Sequence, residues 1–254
     1  MKRILFALII LLLPALAQAA GGAVHLDKIH LDFSNKSSLQ RGMATYVNNC
    51  LACHSLKYQR YQRTAEDLEI PLDLMKKHLI PGDQKVGEQI TNAMPKEGAN
   101  RWFGNAPPDL TLQTKLKGSD WVYTYLRSFY RDESRPWGVN NSVSKNVAMP
   151  NVLEYLQGVQ LNHCSATELA NSSTEIDPLT GLEIGGCYSL ADNSGEQTKA
   201  EFDKTIYDLV NFMSYIGAPH TMDSQSIGIK VLIFLFIFFF FAYALKREYW
   251  RDIR

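Results

Sequence analysis

The chain has 254 residues, of which 46% are hydrophobic and 20% charged, and its 26 basic side chains balance 26 acidic ones. This length suits one sizeable domain or two small ones, and the apolar content supports a packed core, which excludes a disordered chain. The formal net charge is zero, so the chain lacks the excess of basic residues that is typical of proteins that bind nucleic acids.

The first residues, Met1–Ala19, are typical of a secretory signal peptide. Lys2 and Arg3 precede an unbroken apolar run, Ile4–Leu13, and Ala17–Ala19 provides the small-residue pattern at which signal peptides are cleaved. An N-terminal transmembrane helix is the alternative, but the apolar run is too short to cross a bilayer. The chain is therefore predicted to be exported after cleavage, which places its cysteines in an oxidising compartment.

The next pattern is a helix that leads directly into a compact cysteine motif. Apolar residues in Leu39–Asn49 recur at helical spacing, and Ser37 or Ser38 is expected to cap the start of this helix. The last turn of the helix therefore delivers the chain into Cys50–His54.

The motif Cys50-Leu51-Ala52-Cys53-His54 is the attachment signature of c-type haem. Two thiols at this spacing reach one edge of a porphyrin, and the next side chain, His54, reaches the iron. A redox dithiol or half of a zinc site are the alternatives. A dithiol does not need the histidine, and the chain has no second Cys-x-x-Cys to complete a zinc site.

The following part of the chain is predicted to be mainly helical with long loops. We expect an acidic helix from Thr64, a short helix at Val86–Ala93, a loop at Gly98–Pro108, a helix at Ser119–Arg131 and one or two helical turns at Leu153–Gln160. The loop contains two adjacent prolines, which cannot continue a helix and form a rigid extended wall.

A haem iron that transfers electrons needs a second axial ligand besides His54. Met94 and Met149 each lie in a loop and precede a proline, which rigidifies the backbone. Met149 is favoured over Met94 because a long polar loop precedes it and apolar residues follow it. The histidines form a weaker set of candidates: His30, His78, His163 and His220.

Two further cysteines, Cys164 and Cys187, bracket a polar insertion and are expected to form a disulfide. The alternative is a metal site that also uses His163, but no fourth ligand is evident. In the chain-entropy model, closing this loop contributes about 3 kcal/mol.

The last segments predict a helix, a membrane anchor and a short tail. Thr198 and Glu201 form a capping box for a helix over Lys199–Ile216. Ile227–Leu245 is long and apolar enough for one transmembrane helix. A buried helix of a soluble domain is the alternative, but four consecutive phenylalanines and the lack of a polar face argue against it. Residues 246–254 form a tail that is expected to be cytoplasmic under the positive-inside rule. Its basic residues are Lys246, Arg247, Arg251 and Arg254.

Both ends of the chain therefore predict that residues 20–226 lie on the periplasmic side of the inner membrane. This segment has 19 basic and 24 acidic residues, a net charge of −5. Such an excess either steers a basic soluble partner or only keeps the domain soluble.

The combination of these features resembles the cytochrome c1 family, the haem subunits of ubiquinol–cytochrome c reductase. The resemblance is carried by Cys50–His54 with the tyrosines that follow, by Asn105–Leu110, by the Ala-Met-Pro around Met149 and by the single C-terminal anchor. It covers nearly the whole mature chain and indicates a bacterial form.

The resemblance implies a mainly α, cytochrome c-like haem domain with long loops and one C-terminal transmembrane helix. It implies one haem c on Cys50 and Cys53, with His54 and Met149 as axial ligands. It further implies packing of the Asn105–Leu110 loop beside the haem, including Asn105 and Pro108, and a haem propionate on Lys115. The implied partners are a cytochrome b subunit, a Rieske iron–sulfur protein, and a soluble or tethered cytochrome c.

Such a chain relays electrons and makes no bonds itself; enzyme activity belongs to the whole complex. Two other hypotheses remain. One is a membrane-anchored monohaem cytochrome that serves another oxidase or reductase, and the other is a haem-based sensor with an open iron face.

Overall fold

The computed structural model describes residues 26–164, 175–176, 183–184, 187–192 and 194–251. The predicted signal peptide, residues 1–19, lies outside the described residues, as does most of the insertion between the two later cysteines. About half of the described residues are helical, which agrees with the predicted fold class.

The helices that the structure describes are α1 (Lys36–Asn49), α2 (Tyr61–Leu68), α3 (Leu72–His78), α4 (Lys96–Phe103), α5 (Gln113–Lys117), α6 (Ser119–Arg127), α7 (Glu154–Gln157), α8 (Lys199–Gly217) and α9 (Thr221–Tyr249). Four antiparallel strand pairs accompany them: β1 (Leu56–Arg60) with β2 (Gln89–Ile90), β3 (Phe129–Arg131) with β4 (Val139–Asn141), β5 (Gln160–Asn162) with β8 (Tyr188–Leu190), and β6 (Glu175–Ile176) with β7 (Glu183–Ile184).

Several local predictions were wrong, including the loop expected at Gly98–Pro108, whose first half belongs to helix α4. The first helix begins at Lys36 and is capped by the side chain of Asn35, which accepts from the Ser38 amide, so neither predicted serine is the cap. The expected short helix at Val86–Ala93 is absent, because Ile90 pairs with Leu56 in an antiparallel strand. The helix predicted over Ser119–Arg131 ends at Arg127, because Phe129–Arg131 forms strand β3, which pairs with β4.

The core of the domain forms where α1 crosses α8. Gly42 allows this close approach, because a Cβ atom there would lie 2.0 Å from the carbonyl oxygen of Asp208 and 2.6 Å from the Cβ of Phe212. Tyr46 packs on Phe212 beside the crossing, with ring centroids 6.0 Å apart. The predicted capping box at the start of α8 is present: Thr198 accepts from the Glu201 amide, and Glu201 accepts from the Thr198 amide.

A buried carboxylate fastens the two crossing helices. Asp208 is 3% exposed and accepts hydrogen bonds from Arg41 at 2.6 Å, from Ser38 at 2.6 Å and from Lys204 at 3.1 Å. Desolvation raises the pKa of Asp208, but these hydrogen bonds outweigh it, so the net pKa lies below the ordinary value. The charged form of Asp208 is therefore the one that the folded state favours.

Replacing Asp208 with asparagine is expected to lower the free energy of unfolding by about 2 kcal/mol near neutral pH, because charge-assisted hydrogen bonds are lost. Since the folded pKa is depressed, this stabilisation is present above the unfolded pKa of about 4 and is lost as the pH falls through the folded value. Thermal unfolding of the wild type and Asp208→Asn, measured from about pH 7 downward, should converge in acid. Asp83→Asn, at an exposed carboxylate, should match the wild type throughout.

The helix α9 has the properties of a membrane anchor. Its segment Ile227–Tyr249, 23 residues, is long and apolar enough to cross a bilayer, and none of its most apolar window is buried inside the protein. The apolar side chains are exposed all round the helix, which suits lipid rather than water as the solvent. The described residues thus contain one candidate membrane span, at the position predicted from the sequence.

Candidate functional site

The cysteine motif is held at the end of α1 by backbone and side-chain hydrogen bonds. The amide of His54 donates to the Cys50 carbonyl at 2.8 Å, which keeps the motif in a helix-like turn. The buried hydroxyl of Tyr46 donates to the His54 carbonyl at 2.6 Å. The carbonyl of Cys53 accepts from the side chain of Asn92. These hydrogen bonds hold the motif in one conformation at the end of α1.

Beside this motif lies a mostly apolar cavity of about 420 Å³. Its walls come from four parts of the chain: the motif itself, the Asn105–Leu110 loop, the helices α5, α6 and α8, and the segment around Met149. Cys50, Cys53 and His54 line the cavity together with Met149. Residues nearly a hundred positions apart in the sequence thus converge on one space.

The two thiols of the motif do not have the properties of a redox dithiol. Burial raises the pKa of Cys50 to about 12, with a further contribution from Cys53. Burial also raises the pKa of Cys53. Reactive dithiols instead have a lowered pKa that stabilises the thiolate. The environment therefore favours the interpretation of these sulfurs as attachment points.

His54 is prepared to act as a metal ligand. Its Nδ1 lies 2.8 Å from the carbonyl oxygen of Pro108, and because a carbonyl only accepts, Nδ1 carries the proton and Nε2 keeps its lone pair. Burial lowers the pKa of His54, more than the Pro108 carbonyl and Asp109 raise it, so the ring is neutral. A neutral imidazole whose far nitrogen is fixed by a carbonyl is the usual arrangement for a metal-bound histidine.

The Asn105–Leu110 loop is attached to the residues that directly follow the motif. The amide of Leu110 donates to the Ser55 carbonyl at 2.9 Å, and the Lys57 amide donates to the Asp109 carboxylate at 2.8 Å. Asn105 and Pro108, both predicted site residues, line the cavity. The two prolines therefore form one wall of the cavity, and one of them also orients the histidine.

The second predicted ligand, Met149, lies at the same cavity as His54. Met149 lines the cavity, whereas Met94 does not, and His54 is the one histidine among the described residues that line it. The hydroxyl of Tyr125 approaches the Met149 sulfur at 3.5 Å. The site therefore has a thioether and an imidazole as its two candidate iron ligands, and its apolar lining suits a flat macrocycle.

The basic residue that lines the cavity is Lys117, whereas the family resemblance suggested Lys115. Lys115 lies against Gly217 of α8, at the back of α5, and is not part of the cavity wall. Lys117 is the one charged side chain among the described residues that line the cavity, and its ammonium group lies 5.3 Å from the centre of the Trp121 ring. Side chains two positions apart on a helix point to nearly opposite faces. Which of Lys115 and Lys117 reaches the cavity therefore depends on how α5 packs.

Cys164 and Cys187 lie away from the cavity and are joined by a disulfide, with their Cα atoms 5.1 Å apart. The strands β5 and β8 flank this disulfide, and the amide of His163 donates to the Cys187 carbonyl at 2.8 Å. The side chain of His163 pairs with Ser189. Cys164 is thus occupied by Cys187, which removes it as a ligand for a metal site with His163.

Sequence reasoning did not assign Tyr125 or Met213 to the site. Tyr125 belongs to an aromatic face of α6 whose sequence pattern is that of ordinary core, and only the orientation of α6 in the fold shows that Tyr125 faces the cavity. Met213 of α8 also lines the cavity, although its helical spacing is that of a packing residue.

A family model and several known proteins match this chain over most of its length. The family model described as the Cytochrome C1 family matches residues 27–253. A cytochrome c1 of Allochromatium vinosum is 41% identical over 253 residues and covers 100% of both chains. A protein named ammonia monooxygenase gamma subunit, from Nitrosomonas europaea, is also 41% identical, over 254 residues and 100% of both chains. A cytochrome c1 of Rhodospirillum rubrum is 25% identical over 283 residues, covering 100% of this chain and 98% of that one.

The fold, the cavity and the apolar C-terminal helix define a haem protein of the membrane-associated electron-transfer class. The chain belongs to the cytochrome c1 family. The resemblance drawn from the sequence is confirmed.

Proposed function

We propose that this chain is the electron-relay subunit of a ubiquinol–cytochrome c reductase, with one haem attached to Cys50 and Cys53 and its iron held between His54 and Met149. The observation that supports this most is the convergence of these four side chains on one apolar cavity. The haem, when bound, supplies a one-electron couple that the protein side chains lack.

The chain's own residues then have separate roles. The Pro108 carbonyl fixes the imidazole of His54, which keeps Nε2 available to iron. The apolar walls exclude water, and exclusion of water together with a thioether ligand favours ferrous iron and a higher reduction potential. Lys117, which lines the cavity, would pair with a haem propionate, a role that the family resemblance assigned to Lys115.

The proposed electron path follows from the family. A cytochrome b subunit oxidises quinol, a Rieske iron–sulfur protein passes one electron to this haem, and a soluble or tethered c-type cytochrome accepts it. The anchor α9 keeps the domain at the membrane, with the haem domain in the periplasm and the basic tail in the cytoplasm. Bond chemistry and proton release belong to the partner that binds quinol.

A second candidate function is a haem subunit of another membrane oxidase or oxygenase. The 41% identity to a protein named as an ammonia monooxygenase subunit is the observation that favours it. Purification of the tagged full-length chain in mild detergent, with identification of the bound subunits, separates the two functions. We expect cytochrome b and a Rieske protein; recovery of monooxygenase or oxidase subunits in their place would contradict the proposal.

Replacing Met149 with leucine tests the proposed axial ligand. A ferric haem with a thioether ligand shows a weak absorption near the red edge of the spectrum, and this band should disappear in Met149→Leu because leucine cannot coordinate. The reduction potential should also fall, and the ferrous form should gain carbon monoxide binding at the open position.

Met94→Leu is the matched control, because Met94 also precedes a proline but lies outside the cavity wall. It should keep the red-edge band. A band that survives Met149→Leu, or carbon monoxide binding by the unmodified protein, would rule out Met149 as the ligand and favour the sensor hypothesis.

A further inference from the structure

A tyrosine hydroxyl faces the proposed ligand sulfur. The Tyr125 oxygen lies 3.5 Å from the Met149 sulfur. The Tyr125 ring is held by its neighbours: it stacks on Trp121 at 4.9 Å with an interplanar angle of 11°, and it meets the edge of Phe129 at 5.1 Å and 70°. The position of the hydroxyl is therefore set by α6 and its aromatic neighbours.

The loop that carries Met149 is tied to the same tyrosine. The buried side chain of Asn141 donates to the Tyr125 carbonyl at 2.8 Å and accepts from the amides of Val143 and Ser144, each at 3.0 Å. These bonds fix the start of the loop that reaches Met149 against α6. The contact between hydroxyl and sulfur thus joins two parts of the chain that are also linked through Asn141.

Only one of the two groups in this contact can donate the hydrogen bond. A thioether sulfur only accepts a hydrogen bond, so the Tyr125 hydroxyl is the donor. Within the described residues, the Met149 sulfur is the one hydrogen-bond partner of this hydroxyl. Other polar groups near the cavity are few, because its lining is mostly apolar.

We infer that Tyr125 is a positioning residue that raises the reduction potential of the haem by donating a hydrogen bond to the axial sulfur of Met149. This inference rests on the proposed function, since it requires Met149 as a ligand. A hydrogen bond to one lone pair of the sulfur withdraws electron density, so the sulfur would donate less charge to iron through its other lone pair. Ferric iron needs that donation more than ferrous iron, so the hydrogen bond shifts the equilibrium toward the ferrous form.

Tyr125→Phe removes the hydroxyl and keeps the ring. From the net strength of one hydrogen bond, we expect the ferrous-to-ferric equilibrium constant to fall about fivefold, which is a decrease of about 40 mV in the midpoint potential. The potential is measured by spectroscopic redox titration of the purified complex. The ferric red-edge band should remain, and more imidazole should be needed to displace the sulfur.

Tyr123→Phe is the matched control on the same helix. The Tyr123 ring lies 4.6 Å from the Arg127 guanidinium and is not part of the cavity wall, so its variant should keep the wild-type potential. In a Met149→Leu background, Tyr125→Phe should leave the potential unchanged. If the Tyr125→Phe protein does not accumulate in cells, the Tyr125→Leu variant is measured in its place. The same decrease in midpoint potential is expected.

The outcomes separate this inference from the function on which it rests. A red-edge band that is missing from the wild type would refute Met149 ligation and the inference with it. A wild-type band together with an unchanged potential in Tyr125→Phe would overturn the inference alone. An equal decrease in the Met149→Leu background would also overturn it, because the effect would not pass through the sulfur.

Discussion

Replacing Gly42 with alanine is expected to prevent the chain from folding around its haem cavity. The added methyl group would lie 2.0 Å from the Asp208 carbonyl oxygen and 2.6 Å from the Phe212 Cβ, so α1 and α8 would have to separate. Backbone atoms cannot move aside as a flexible side chain does, and a cost of at least about 3 kcal/mol is expected. That is a large part of the stability of a typical domain.

The measurement is the yield of full-length protein with bound haem and its thermal unfolding midpoint. Gly87→Ala is the matched control, since Gly87 is exposed, has no neighbouring atom within 4 Å of the place that an added methyl group would take and needs no left-handed backbone. Gly42→Ala should give little or no holoprotein, and Gly87→Ala should behave as the wild type. Equal stability of the two variants would mean that the helices do not cross as described.

Replacing both Cys50 and Cys53 with alanine should abolish covalent attachment of haem. Both sulfurs line the cavity, and the other two cysteines of the chain are joined to each other. After denaturing electrophoresis, haem staining should no longer travel with the polypeptide of the double variant. Each single variant should lose one of the two bonds and show a shifted spectrum of the reduced haem.

The control is the pair Cys164→Ala and Cys187→Ala, which removes the disulfide but neither attachment point. This variant should remain positive for haem staining. Staining that persists in the Cys50 and Cys53 double variant would show that the haem of this chain is held in another way.

The residues nearest the haem chemistry could be predicted because that chemistry demands short, fixed spacings. Two thiols and a histidine must reach one porphyrin, so Cys50–His54 is recognisable without a fold. Met149 could be ranked above Met94 because a long polar loop precedes it and apolar residues follow it, and it lines the same cavity as the motif. The capping box of α8 and the apolar run of α9 are equally local signals.

Several of the predictions that were wrong depended on distant partners. The strand at Gln89–Ile90 exists because it pairs with β1, about thirty residues earlier, and two residues carry no pattern of their own. Lys117 rather than Lys115 reaches the cavity because α5 packs against Gly217, near the end of α8. The role of Gly42 likewise depends on a helix that begins at Lys199. Long-range packing of this kind leaves no trace in a local pattern.

The most direct test of the account is the reduction of this chain's haem by quinol in the purified complex. The chain is oxidised first, a ubiquinol analogue is added, and the narrow α-band of a reduced c-type haem is recorded. We predict that quinol reduces the haem and that removal of the Rieske protein prevents it. A haem that a strong chemical reductant reduces but quinol does not, with cytochrome b and the Rieske protein both present, would contradict the account.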